Sequence, residues 1–142
     1  MIGKYIAKLD DKNRLIVPAK LRQELGDLFY VTIGANDGHH CLTIYPAAEW
    51  QRLSSKFNDL PIARRAGATS LFFMNAVECV PDKQYRIGLP QSLLEYAGIE
   101  REVMVAGVAG QAEIWDIGEY NRFEMENLTP EKLISSLGEI QI

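Results

Sequence analysis

Apolar residues along this chain come in short clusters, and the order of clusters occurs twice. Alternation from Tyr5 to Leu9 predicts a short strand. Asp11-Lys12-Asn13 offers turn chemistry, because Asp and Asn bond locally and tolerate left-handed backbone. Leu15-Ile16-Val17 predicts a returning strand. Pro18 suits the first turn of a short helix and Gly26 its end, with Leu21 and Leu25 on one face. Strands are predicted from Leu28 to Ile33 and from Cys41 to Tyr45, around a loop of Gly34 to His40. Pro46 then opens a helix with Trp50, Leu53 and Phe57 on one stripe.

The second pass repeats this order. Val77 to Val80 and Ile87 to Leu89 flank a turn, and Pro90 and Gly98 bracket a helix. Val103 to Val108 and Ala112 to Trp115 predict strands, and Gly118 to Met125 a weaker helix. At an offset of 72, Asp10 meets Asp82, Arg14 meets Arg86, Pro18 meets Pro90, Leu21 meets Leu93 and Gly26 meets Gly98. Ile44 to Trp50 meets Ile114 to Tyr120 at an offset of 70, so the first copy carries two extra residues, assigned to the 34–40 loop. The expected organisation is a first repeat at 1–60, a connecting helical segment at 61–75, a second repeat at 76–125 and a helical tail at 126–142. Leu133, Ile134 and Leu137 are expected to dock that tail. One such repeat buries little alone, so the two are expected to complete one core, like a homodimer folded into one chain. The fold class expected is α+β, mostly β with short helices.

Composition agrees with one folded domain: 142 residues, 47% apolar and 24% charged. No run approaches the roughly 18 apolar residues of a membrane span, and the start lacks the apolar segment of a signal peptide, so a cytoplasmic protein is expected. Cys41 and Cys79 sit among apolar neighbours and read as buried thiols. The net charge of −4 argues weakly against nucleic acid, but its distribution changes that. Residues 1–75 carry ten Lys/Arg and seven Asp/Glu, whereas residues 76–142 carry five and twelve.

Leu9-Asp10-x-Lys12-x-Arg14 with Val17-Pro18-x-x-x-Arg22, and Asp82-Lys83-Gln84-Tyr85-Arg86 in the second copy, resemble the paired motifs of the MraZ family of bacterial transcriptional regulators. Ile44-Tyr45-Pro46-x-x-x-Trp50, Glu113-Ile114-Trp115-Asp116 and Ala76-x-Glu78-Cys79 resemble its other signatures. The resemblance covers about residues 1–125. It implies two swapped-hairpin half-units of the AbrB and MazE kind, intertwined as a barrel-like domain. It also implies a ring-like homo-oligomer that contacts short direct repeats of double-stranded DNA, regulates the division and cell-wall gene cluster, and resides in the cytoplasm and nucleoid. The sequence departs from the pattern at the residue before each motif arginine, often Gly in the family and here Asn13 and Tyr85. A bulky residue resists left-handed backbone, so the second turn is expected to differ in shape or in DNA contact. Leu94 stands where the first copy has Arg22, so the two copies are expected to contribute unequally, with Arg14 the more important arginine.

The candidate DNA contacts are therefore Arg14 and Arg86, with Lys12 and Lys83 on phosphates. Asp10 and Asp82 are expected to orient the arginines, and Lys4, Lys8, Lys20 and Arg22 to widen the basic surface. Arg64 and Arg65 read as surface or inter-subunit residues. His39 and His40 lack a third ligand at useful spacing and read as a polar loop rather than a metal site. No catalytic constellation, cofactor motif or phosphate loop stands out, so an enzyme, a metal and a cofactor are not expected. The alternatives to a DNA-binding regulator are an antitoxin-like regulator that binds a partner protein, and a ring scaffold without a specific DNA site.

Overall fold

The computed structural model describes residues 1–65 and 67–141. Its strands are β1 (Lys4–Lys8), β2 (Arg14–Ile16), β3 (Phe29–Asn36), β4 (His39–Pro46), β5 (Val77–Cys79), β6 (Arg86–Gly88), β7 (Glu102–Val108) and β8 (Gln111–Asp116). The helices are α1 (Arg22–Leu25), α2 (Ala47–Asn58), α3 (Gly67–Met74), α4 (Gln91–Ala97), α5 (Ile117–Asn127) and α6 (Pro130–Gln141). The fold is α+β, and the repeat of the sequence is a repeat of structure: β1-β2-α1-β3-β4-α2 is followed by β5-β6-α4-β7-β8-α5.

The two repeats exchange strands. Six strands form an antiparallel sheet in the order β1-β7-β8-β4-β3-β5. The first strand of each repeat thus pairs with the third strand of the other: β1 lies on β7 and β5 on β3. The two second strands pair with each other as a separate ribbon, β2 on β6. Among the described residues the edge strands β1 and β5 do not pair with one another, so the sheet stays open rather than closing into a barrel.

Alternation along the strands puts different residues on the two faces of this sheet. One face carries Phe29, Val31, Leu42, Ile44, Val103, Val105, Ala112 and Ile114. It is covered by the ribbon through Leu15 and Ile87, and by the short helices through Leu21, Leu25, Leu93 and Leu94. Pro18 and Pro90 precede these helices, and Gly26 and Gly98 end them at φ +73° and +65°, where a side chain would be strained. The other face is covered by the long helices. Trp50 of α2 stacks on Tyr30 at 4.9 Å between centroids and on Phe72 of α3 at 5.6 Å. Trp115 packs with Met104 and Cys41 under Tyr120 and Phe123 of α5. Asp116 caps α5 by accepting from the backbone N–H groups of Gly118 and Glu119.

Both cysteines are buried, as their neighbours indicate, and burial pushes the Cys41 thiol up to about 12 and that of Cys79 to about 11. The connecting segment is two pieces, a short 3₁₀ turn at Ile62–Arg64 and α3; Ala66 between them lies outside the described residues. The tail departs from expectation. α6 forms, but Leu133, Ile134, Leu137 and Ile140 are all exposed, so its apolar stripe is not docked on this chain. The two-residue link from α5 directs α6 away from its own body, held by the Lys132 ammonium donating to the Glu126 carbonyl at 2.6 Å.

The two extra residues of the first repeat do not make a loose loop. The β3–β4 hairpin is four residues longer than β7–β8, offset by two extra residues of the second repeat between Gly98 and β7, and its register runs to Asn36↔His39 across an Asp37-Gly38 turn with both residues at positive φ. The longer hairpin carries His39 over α5. Its Nδ1 lies 2.5 Å from Glu119 Oε1 and its Nε2 2.6 Å from Glu126 Oε2. An imidazole donates from both nitrogens only when protonated. Hydrogen bonds to Glu126 and Glu119 accordingly raise the His39 pKa above its ordinary 6.5. Stability from this clamp is complete below 6.5 and is lost as the pH rises through the raised folded value. Thermal melts across neutral pH should show the midpoint falling on the alkaline side for the native protein, with that slope absent in His39→Gln. An identical slope in the variant would exclude the clamp as its source.

Candidate nucleic-acid interface

Each motif aspartate builds its own turn. Asp10 Oδ1 accepts from the backbone N–H groups of Lys12 and Arg14, both at 2.9 Å, while Oδ2 accepts from Arg14 Nε at 2.7 Å. Asp82 does the same for Gln84 and Arg86 at 2.9 Å and for Arg86 Nε at 2.7 Å. The backbone closes each turn reciprocally, with Asn13 N–H donating to Asp10 O and Tyr85 N–H to Asp82 O. These donors, the arginine backbone N–H first, hold both carboxyls below the usual aspartate value. Each aspartate thus holds the Nε–H of the arginine four residues on.

The second turn is not a different shape. Asn13 and Tyr85 lie at φ +56° and +59°. A non-glycine residue there costs about 1–2 kcal/mol, and the same hydrogen bonds over-determine both turns. Tyr85 also has a partner that only the exchanged topology supplies. The Arg22 guanidinium lies over its ring at 4.1 Å, anchored by Nε donating to the Val17 carbonyl at 2.9 Å. Arg22 of the first repeat thus supports the turn of the second, and its counterpart Leu94 is free to be a core residue. In the other direction, Asn13 reaches Gln91 of α4 through its amide at 3.4 Å.

The ribbon brings the two turns together. In the β2–β6 register Arg14 faces Gly88, Leu15 faces Ile87 and Ile16 faces Arg86. Leu15 and Ile87 point into the core, so Arg14, Ile16, Arg86 and Gly88 occupy the opposite, outward face. Two residues along and one strand across place the arginine Cα atoms about 8 Å apart. Each aspartate takes only the Nε–H of its arginine. Among the described residues, the four terminal N–H donors of each guanidinium make no hydrogen bond. These are the donors that form a fork against guanine O6 and N7 or a phosphate.

The lysines divide. Lys12 and Lys83 are exposed in the two turns beside the arginines, and Lys20 is exposed beside α1. Lys4 and Lys8 alternate onto the helix-covered face of the sheet, away from the ribbon. Lys4 is engaged there with Glu124 of α5 at 2.7 Å and lies over the Tyr120 ring. Strand alternation was visible in the sequence, but which face of β1 would lie on the ribbon's side of the sheet was not. The outward Ile16 and the supporting role of Arg22 were likewise missed, because both depend on the pairing of β2 with β6.

Two equivalent, aspartate-clamped arginine turns on one ribbon, mounted on strands exchanged between two repeats, define an intertwined two-repeat module with both arginines on one outward face. The family model described as "MraZ protein, putative antitoxin-like" matches residues 1–71 and again 72–133, and the chain belongs to the MraZ family. It is 44% identical over 116 residues to "Transcriptional regulator MraZ" of Halothermothrix orenii, covering 80% of this chain and 79% of the relative. It is 39% identical over 145 residues to the protein of that name in Caldicellulosiruptor bescii, covering 100% and 99%. Among the described residues, no helix is long and apolar enough to cross a membrane.

Proposed function

We propose that this protein is a sequence-specific, double-stranded DNA-binding transcriptional regulator whose reading face is the β2–β6 ribbon. The observation that carries this reading is the pair of outward arginines, each held at Nε with its terminal N–H groups unpaired among the described residues. Clamping by aspartate fixes the guanidinium direction before DNA arrives, which reduces the ordering cost of binding. Arg14 and Arg86 read guanine edges in the major groove, and Lys12 and Lys83, with Lys20 beside them, meet phosphates. One ribbon offers a small contact area. The finer reading is therefore a nucleoid-associated, ring-like homo-oligomer in the cytoplasm, in which several ribbons engage short direct repeats spaced near one helical turn. Control of the division and cell-wall gene cluster belongs to the same reading.

The test is titration of a labelled duplex from upstream of the protein's own gene, in competition with scrambled duplex, over a salt series. Specific retention should exceed the scrambled control, and log affinity should fall against log salt with a slope of roughly −0.9 per phosphate neutralised. A flat salt series, or equal retention of the scrambled duplex, would reject the reading. Light scattering of the free protein checks the assembly separately: a monomer would remove the ring and leave the ribbon's role standing.

A further inference from the structure

The pseudo-two-fold of the ribbon is broken at one outward position. Ile16 is 53% exposed, a β-branched apolar side chain directly opposite Arg86 and two residues from Arg14 on the same face. Its counterpart in the second repeat is Gly88, opposite Arg14. A Cβ at Gly88 would meet nothing within 4 Å, so the glycine is not there to admit neighbouring protein atoms. The face therefore reads, in one direction, cation, apolar side chain, cation, open space. Leu15, beside Ile16 in sequence, supplies the core contact of this strand, so Ile16 has no packing role that would explain it.

In the major groove, a thymine presents a C5-methyl group at its edge, and an apolar side chain distinguishes it from the other bases. From the ribbon geometry we infer that Ile16 is a specificity-determining residue that packs on a thymine methyl flanking the guanines read by Arg14 and Arg86. This rests on the ribbon being the DNA-reading face. Ile16 lies about 5 Å across from Arg86 and about 7 Å along from Arg14. With base pairs stacked every ~3.4 Å, the thymine falls within one or two base pairs of a contacted guanine. Gly88 contributes no such contact, so a single chain does not read a symmetric dyad. Its site has a direction, which suits repeats arranged head to tail rather than as palindromes.

The experiment begins by selecting bound duplexes from a randomised double-stranded library with the full-length protein, then titrating the selected duplex. Each thymine is replaced in turn by deoxyuridine, which removes only the methyl group. One position should weaken binding to the wild type about fourfold, the effect of one lost methyl burial. Ile16→Ala should bind the thymine duplex about fourfold more weakly and be indifferent to the replacement, whereas Ile16→Val should retain the discrimination. Ile16 is exposed, so the variants should fold, and circular dichroism checks this. If no deoxyuridine position affects the wild type, or Ile16→Ala discriminates as the wild type does, the inference falls while arginine-dependent binding stands. If the library yields no enriched sequence, the proposed function and the inference fall together.

Discussion

The Arg14→Ala/Arg86→Ala double variant should lose specific DNA binding by at least about 30-fold while remaining folded. A bidentate arginine–guanine contact is worth ~1–3 kcal/mol of discrimination, and two are removed. The cost to folding is small. Among the described residues each arginine side chain makes one internal bond, Nε to its aspartate, in an ion pair whose partners are about one-third exposed. Such pairs contribute ~0–1 kcal/mol. The turns keep their shape without the guanidinium, because each aspartate still accepts two backbone N–H groups. The single variants should lie between wild type and double. The identical turns remove turn shape as a reason for Arg14 to outweigh Arg86; the differing neighbours, Ile16 beside one and Gly88 beside the other, are what is left to separate them. Anisotropy titration at one fixed salt concentration, with a thermal melt of each variant, is the measurement. Wild-type affinity in the double variant would end the assignment of the ribbon as the interface.

Leu15→Ala should destabilise the fold by about 2–5 kcal/mol. Leu15 is fully buried and faces Ile87, also buried, across the ribbon. The ribbon has three residue pairs, so this apolar pair is its attachment to the six-stranded sheet. Truncation leaves a cavity at the point where the exchanged repeats meet. For a domain of this size the melting temperature should fall by about 10 °C. Ile16→Ala, one residue along but on the outward face, should change stability by less than about 0.5 kcal/mol. Urea denaturation of both variants makes the comparison, and equal losses would contradict the assignment of the two faces.

The sequence alone carried the repeat and most of its elements, because the determinants are local. Pro18 and Pro90 start the short helices and Gly26 and Gly98 end them, through φ restriction in the one case and φ freedom in the other. Asp10 and Asp82 organise turns whose partners lie two and four residues away. The Asp10–Arg14 and Asp82–Arg86 pairs were legible for the same reason, each being four residues apart. The apolar stripe of Trp50, Leu53 and Phe57 also marked α2, although the aromatic residues of α3 that cover it sit in a segment whose break near residue 65 was not foreseen.

What the tertiary structure decided is everything that depends on which strand pairs with which. Register and pairing are set by contacts between residues some 70–100 positions apart, and local pattern holds no record of them. Exchange of β1 and β5 put Lys4 against Glu124 of α5, with exposed Lys8 on the same face of the sheet. Pairing of β2 with β6 set Arg14 and Arg86 on one face with Ile16 between them, and brought Arg22 onto Tyr85. That contact and the surrounding hydrogen bonds hold tyrosine at a left-handed φ that its own steric preference disfavours. His39 reads in the sequence as a residue of a polar loop, and becomes a clamp because its hairpin ends against α5 of the other repeat. The amphipathic tail was legible as a helix, since periodicity is local. Where its apolar stripe goes was not, because burial requires a complementary surface, and this chain does not bring one to it.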